Sequence, residues 1–265
     1  MNSIIQLPFS QLLAAYAFVL LLILLVKVKG IPREREIMLA SIRMTLQLML
    51  TGYVLVFIFD NPHPALTLLA IFTMQTFAVF NIYQRVKSPL SPAMKRIIAF
   101  ALVSGTGVSL LFFILVVIRL TPWYHPQYFI PLGGMIIGNS MTGIALGASK
   151  LVDGIHQQRH QIEGALMLGA TPAMAVKSLA NTAFDTAILP TLNSMLGMGI
   201  VFLPGMMTGQ ILSGVSPVTA IQYQIAIMLG ITGSVTLTVF LMIYAGARSF
   251  FNQDRQLTIQ NNLTP

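Results

Sequence analysis

The sequence predicts an all-α integral membrane protein with about seven transmembrane helices in a single domain spanning 1–265. A cytoplasmic helix–turn–helix lies between spans five and six. Three observations carry this reading. Hydrophobic residues make up 55% of the 265 residues, charged residues only 8%, and the mean hydropathy is +0.80. A soluble domain carries roughly 25% charged residues, so this chain cannot cover a water-facing surface. Apolar runs recur along the chain, most near the ~20 residues that a helix needs to cross a bilayer. Lysine and arginine fall in alternate connections between those runs. Together these features exclude a soluble globular enzyme, and the hydrophobicity excludes a disordered chain. There is no cysteine, hence no disulfide framework, thiolate metal site or catalytic thiol.

The first span runs from about Ile4 to Val26 and carries no charge. It lacks a basic leading region and a small-residue cleavage site, so it reads as a retained span and not as a signal peptide. The second runs from about Ile37 to Phe59, with Arg43 inside it. The third covers about Pro64 to Tyr83, and the fourth about Ile97 to Ile118. The fifth, about Tyr128 to Ala148, is glycine-rich and less apolar. The sixth covers about Thr186 to Leu203, and the seventh about Ala220 to Ala247. Segment 204–217 contains Pro204, Gly205, Gly209, Gly214 and Pro217. It reads as a loop or as a re-entrant turn shielded from lipid.

Basic residues fix the orientation. Lys27, Lys29, Arg33 and Arg35 follow span one, and Arg85, Lys87, Lys95 and Arg96 follow span three. Lys150, Arg159 and Lys177 follow span five, and Arg248 and Arg255 follow span seven. The opposite connections hold only Arg119. This bias puts the N-terminus outside and the C-terminus in the cytoplasm. It also accounts for the net charge of +8 through membrane topology and anionic lipid headgroups, with no nucleic-acid partner. The tail from Asn252 to Pro265 is polar and reads as frayed.

The cytoplasmic segment of about 151–182 has its own pattern. Leu151, Ile155, Ile162 and Leu166 recur at helical spacing, opposite Asp153, His156, Arg159, His160 and Glu163. A Gly-Ala-Thr-Pro turn follows, with Thr171 placed to cap the next helix and Pro172 to begin it. Such an element either docks a partner or lies in the headgroup layer.

Motifs sharpen the reading. Glu163-Gly164-Ala165, then Gly169, and later Ile188-Leu189-Pro190 resemble the EAA loop of ABC-transporter permeases. The glutamate-to-glycine interval of six matches that pattern. Gly164 stands where the pattern has alanine, and the 21 residues from Gly169 to Pro190 exceed the usual importer interval. Longer strings add to it: Pro131-Leu132-Gly133-Gly134-Met135-Ile136-Ile137-Gly138-Asn139, Met141-Thr142-Gly143, Pro190-Thr191-Leu192-Asn193, the run Gly199 to Gln210, and Tyr223-Gln224-Ile225. The chain resembles the Fet-type permease family of bacterial metal-export ABC transporters, a family once of unknown function, and is similar to plant half-transporters linked to aluminium tolerance. The resemblance implies a homodimeric permease in the bacterial inner membrane. It also implies a separate P-loop ATPase partner that holds ATP and Mg, and iron as the exported substrate. Glu163, Gly164, Ala165, Gly169, Ala170 and Thr171 would then form the coupling surface. The chain has no G-x-x-x-x-G-K-[ST] loop of its own, so no cofactor is expected on it, and it is not expected to be an enzyme. The alternatives are a carrier driven by an ion gradient, a permease for a non-metal organic solute, and a membrane assembly factor.

Polar residues inside spans must find partners or line a cavity. Asn139, Asn193, Met206, Met207, Gln210, Gln224 and Arg43 are therefore the candidate transport path; Gln75 and Asn81 raise the same question. Arg43 lies six residues from the cytoplasmic end of its span and either snorkels to the interface or lines the cavity. The spacing of His156 and His160 with Asp153 and Glu163 allows a metal site, but a solvated helix face is the simpler account. Met195, Met198, Met206 and Met207 could offer soft ligands, or pack as ordinary apolar residues of a methionine-rich chain.

Overall fold

In the computed structural model, residues 8–86 and 88–258 are described. The start of the first expected span at Ile4, Lys87 and tail residues 259–265 lie outside the described residues. The named elements among the described residues are helices: α1 Phe9–Ala15, α2 Ala17–Val28, α3 Glu34–Asp60, α4 Pro64–Arg85, α5 Pro92–Phe112, α6 Pro126–Gln157, α7 Arg159–Met167, α8 Pro172–Ala175, α9 Lys177–Gly197, α10 Gly205–Leu212 and α11 Pro217–Arg248. A π-turn over Phe113–Ile118 extends α5.

Six helical stretches among the described residues are long and apolar enough to cross a membrane: Ser10–Val28, Glu34–Asp60, Pro64–Arg85, Pro92–Ile118, Pro126–Gln157 and Pro217–Arg248. They correspond to expected spans one to five and seven. The expected sixth span is α9, shifted toward the N-terminus: it begins at Lys177 and stops at Gly197. Asn181, Thr182, Asp185, Thr191, Asn193 and Ser194 dilute its hydropathy, so it is not one of the six. The residues from Met198 to Leu203, expected to be helical, form a turn through Gly199 (φ +84°).

The chain falls into two compact units. One contains α1, α2 and α3, with Leu212–Gly214 grouped to it. There α2 packs on α3, and the Tyr16 hydroxyl is hydrogen-bonded to that of Thr45. Little of this unit is buried; on α3 only Ile58 is.

The other unit is organised around α6, which packs on α11, α9, α4 and α5. Small residues set the closeness of these contacts. A Cβ at Gly143 would lie 3.0 Å from Val235 Cγ1, and one at Gly147 would lie 3.1 Å from both Ala187 Cβ and Met242 Cε. The Gly143–Gly147 pair thus packs α6 against α9 and α11 of the same chain. Gly105 meets Thr238 in the same way, joining α5 to α11. At 32 residues, α6 is about 48 Å long by its rise of 1.5 Å per residue. It therefore outruns a hydrocarbon core of about 30 Å.

The ends of this unit differ in charge. At one end the connection after α4 meets α6, where the Ser88 hydroxyl donates to Asp153. The start of α9 and the end of α11 border a common small cavity there, lined by Lys177 and Arg248. At the other end the Thr67 hydroxyl donates to the Tyr124 carbonyl at 3.0 Å, in the connection that holds Arg119. Lys177 and Arg248 thus meet at one end of this unit, and Arg119 lies in the connection at the other.

The chain after α11 is partly folded, contrary to a frayed tail. Asn252 N donates to Gln256 O at 3.0 Å, and Thr258 N donates to Phe250 O at 2.7 Å. Phe250 is buried, with Phe251 and Leu257 packed against the core. These two apolar anchors within a polar stretch are what order it.

Candidate functional site

The site with the most definite local construction is the turn between α6 and α9. Leu151, Ile155 and Ile162 are buried and Leu166 packs beside them, as the apolar spacing requires. The helix is not continuous, however. It breaks at Gln158 (φ −100°, ψ 19°), so Leu151 and Ile155 belong to the end of α6, and Ile162 and Leu166 to α7. Glu163 accepts from Arg159 Nε at 2.7 Å, one helical turn away. This half-exposed pair contributes well under 1 kcal/mol, but it holds the Glu163 carboxylate along the helix.

α7 ends in a Schellman motif. The Gly169 N–H bonds the Leu166 carbonyl and the Ala170 N–H bonds the Ala165 carbonyl, each at 3.0 Å. Gly169 has φ +89°, a left-handed conformation costly for a residue with a Cβ. Thr171 then caps α8: its hydroxyl accepts from Met174 N at 3.4 Å, and Pro172 occupies the first helical position, as the sequence predicts. The result is a rigid turn whose tip is apolar. Met167 is 86% exposed, Leu168 91% and Met174 67%. Glu163, Leu166, Met167, Gly169 and Ala170 form one wall of a cleft of about 550 Å³, and Asp254, Arg255, Gln256 and Leu257 of the C-terminal hairpin form the other. Gly164 has open space beside it.

The histidines do not assemble a metal site. Asp153 accepts from Ser88 and from Ser149, and Glu163 is paired with Arg159. His156 and His160 are both exposed. Among the described residues no three of His, Cys, Asp or Glu gather as a metal site would require.

The candidate path residues are only partly brought together. Gln224 is buried on α11 and donates to Met198 Sδ at 3.6 Å. Two turns further along the same helix, the Thr232 hydroxyl contacts Met195 Sδ at 3.2 Å. Met207 is buried and Met206 packs on the core. Gln210 has a buried Oε1 without a partner. Asn139 is exposed and its amide returns to the Met135 carbonyl of its own helix at 2.7 Å. Asn193 is exposed on α9, and Arg43 is exposed on α3. Sequence reasoning missed the pairings Ser140–Ser234 (3.1 Å) and Gln75–Thr106 (2.8 Å). Each joins polar residues on separate helices, a relation that spacing along one helix does not reveal.

Six membrane-length helices, a bundle packed through glycine and an exposed apolar turn at its basic end define a polytopic α-helical membrane protein. The chain belongs to the family described as Uncharacterised protein family (UPF0014), whose model matches residues 9–251. It is 38% identical to the UPF0014 membrane protein slr1647 of Synechocystis, over 89% of this chain and 91% of that one. It is 34% identical to Protein ALUMINUM SENSITIVE 3 of Arabidopsis thaliana, over 92% and 88%. It is 32% identical to the Probable iron export permease protein FetB of Escherichia coli, over 94% and 95%. No solved structure matches the chain.

Proposed function

We propose that this chain is the permease subunit of an ATP-driven exporter. Two copies would form the pathway, a separate P-loop ATPase would supply the energy, and iron would be the substrate. The observation that carries the reading is the turn at 163–174. An apolar tip of Met167, Leu168 and Met174, stiffened by the Gly169 and Thr171 caps, is costly to leave in water and suited to a groove on a partner. Its place at the basic end supports a cytoplasmic position, with the C-terminus on the same side. ATP and Mg would reside on that partner. Iron rests on the similarity to the E. coli permease, and an organic solute would use the same scaffold.

The test pairs binding with flux. The full chain is co-expressed with the P-loop ATPase of its host and purified from membranes, and ATP-dependent iron uptake is measured in inside-out vesicles. The wild-type chain should retain the ATPase and support uptake. Leu168→Asp, at a side chain with almost no internal contact, should lower ATPase retention at least tenfold while leaving thermal stability unchanged. Flux that continues without ATP would instead favour a gradient-driven carrier. ATPase retention without iron flux would keep the class and remove the metal.

A further inference from the structure

The cavity of about 90 Å³ between the start of α9 and the end of α11 has a one-sided chemistry. Its polar lining is Lys177, Arg248 and Tyr244, and no carboxylate borders it. Among the described residues neither cation is in an ion pair; the pairs present are Arg33–Glu36 and Arg159–Glu163. The Tyr244 hydroxyl has no hydrogen-bond partner among them either. The rest of the lining is apolar, with Val176, Ala180 and Phe251 forming part of it. Two cations and a phenol facing one space suit a ligand whose head is an oxyanion.

The chain is poorly placed to supply that anion itself. It has 7 acidic residues against 15 lysines and arginines. Glu36 and Glu163 are held by arginines, and Asp153 by Ser88 and Ser149. A second copy would bring the same deficit. Residues 1–63 share it, with Lys27, Lys29, Arg33, Arg35 and Arg43 against Glu34, Glu36 and Asp60.

The surroundings say which anion fits. Arg248 ends α11, and Tyr244 stands one turn inside it. The Tyr244 ring lies 4.4 Å from that of Phe240, and Leu237, Phe240 and Tyr244 are all exposed. With Arg248 they recur at i, i+3, i+7 and i+11, along one helix face. The stripe runs from a cation through an aromatic pair into a membrane-length helix. A phospholipid presents its phosphate and acyl chains in that order, with Tyr and Arg matched to the headgroup level. Size agrees. Pockets that enclose drug-sized ligands measure roughly 300–1,000 Å³, so this cavity takes a phosphate-sized group and not a nucleotide.

We infer that Lys177, Arg248 and Tyr244 bind the phosphate of an anionic phospholipid, whose acyl chains lie along Phe240 and Leu237. Basic pockets between membrane helices hold such headgroups. The lipid ties the start of α9 to the end of α11. Pro172, which begins the helix that Thr171 caps, borders the same space. The site stands whether or not the proposed function does.

The full chain is purified in detergent, and phosphatidylglycerol, phosphatidylcholine or inorganic phosphate is added at equal concentration. Binding is read by native mass spectrometry and by thermal shift. Phosphatidylglycerol should bind and raise the unfolding temperature, and the other two should do so far less. Lys177→Gln with Arg248→Gln should weaken its binding roughly 10- to 30-fold, the combined effect of two cations facing an anionic lipid. Lys29→Gln with Arg35→Gln removes two exposed cations elsewhere and should leave binding unchanged. Ala173→Phe keeps every charge and fills the cavity from an exposed lining position. It should lose the lipid yet unfold, lipid-free, at the wild-type temperature, and it carries the test if the charge variant fails to fold. Equal weakening by the two double variants would mean diffuse surface charge and overturn the inference. Inorganic phosphate matching phosphatidylglycerol would remove the lipid, and phosphatidylcholine matching it would remove the need for net negative charge. Wild-type binding by Ala173→Phe would place the ligand outside this cavity and refute the site.

Discussion

α3 and α6 are both long, apolar helices that qualify as membrane spans, yet they use their surfaces differently. α3 buries only Ile58, whereas α6 buries just over half of its apolar window. Hydropathy does not separate them, because lipid tails are as apolar as leucine and give no hydrophobic gain for burying one helix against another. Shape does. Along α3 the side chains Leu46, Leu48, Leu50 and Phe57 stand exposed. On α6 the interface positions are Gly143, Ala145, Gly147 and Ala148, where α9 and α11 come close enough for dense van der Waals contact. Small residues thus mark the places on α6 where neighbouring helices approach most closely, while α3 has large exposed side chains along it.

The sharpest way to break that contrast is to put bulk where α6 has none. Gly147→Leu adds a whole side chain where even a Cβ would sit 3.1 Å from Ala187 and Met242. Overpacking of this kind costs about 1–3 kcal/mol and sometimes more. Thermal unfolding in detergent should show a large loss of stability and a lower yield of folded protein. A melting profile like that of the wild type would mean that α9 and α11 yield freely, and the rigid-core account would fail.

Most of the fold was legible from sequence because its causes are local. Runs of apolar residues specify the spans. Thr171-Pro172 and Gly169 write the two caps of the turn at 163–174 into neighbouring positions. What sequence left open depends on distance across the fold. The break at Gln158 has no glycine or proline to announce it. The tail reads as polar until Phe251 and Leu257 are seen to reach the core. The helix entering span six ends at Gly197 rather than Leu203 because the chain turns at Gly199 (φ +84°), which apolar character alone does not announce. For the candidate site, the turn was legible and the path was not. Asn139 spends its amide on its own helix, while Thr232 and Met195 meet across two.

A smaller effect separates the two kinds of glycine within the turn at 163–174. Gly164 lies inside α7 and Gly169 just past its end, and neither would place a Cβ within 4 Å of another atom. Sterics with neighbours therefore cannot distinguish them; backbone conformation can. Gly169→Ala forces a left-handed residue to carry a Cβ, at about 1–2 kcal/mol. Gly164→Ala removes chain entropy from a helix interior and should stabilise it by about 0.5–1 kcal/mol. Hydrogen exchange over α7 should speed up in the first variant and slow in the second. Equal protection in both would mean that the Schellman closure does not hold this turn.

The smallest effect is expected on α3. Gly52 lies within that helix, and a Cβ there meets nothing within 4 Å, as at Gly164. Gly52→Leu introduces the side chain that Gly147 cannot take, but at a position with open space beside it. Leucine is also the better helix former, by somewhat under about 1 kcal/mol. The variant should therefore unfold at or slightly above the wild-type temperature. A clear loss of stability would show that protein and not lipid covers this face of α3 in the assembled molecule, and the contrast between an edge helix and an interior helix would then hold only for the single chain.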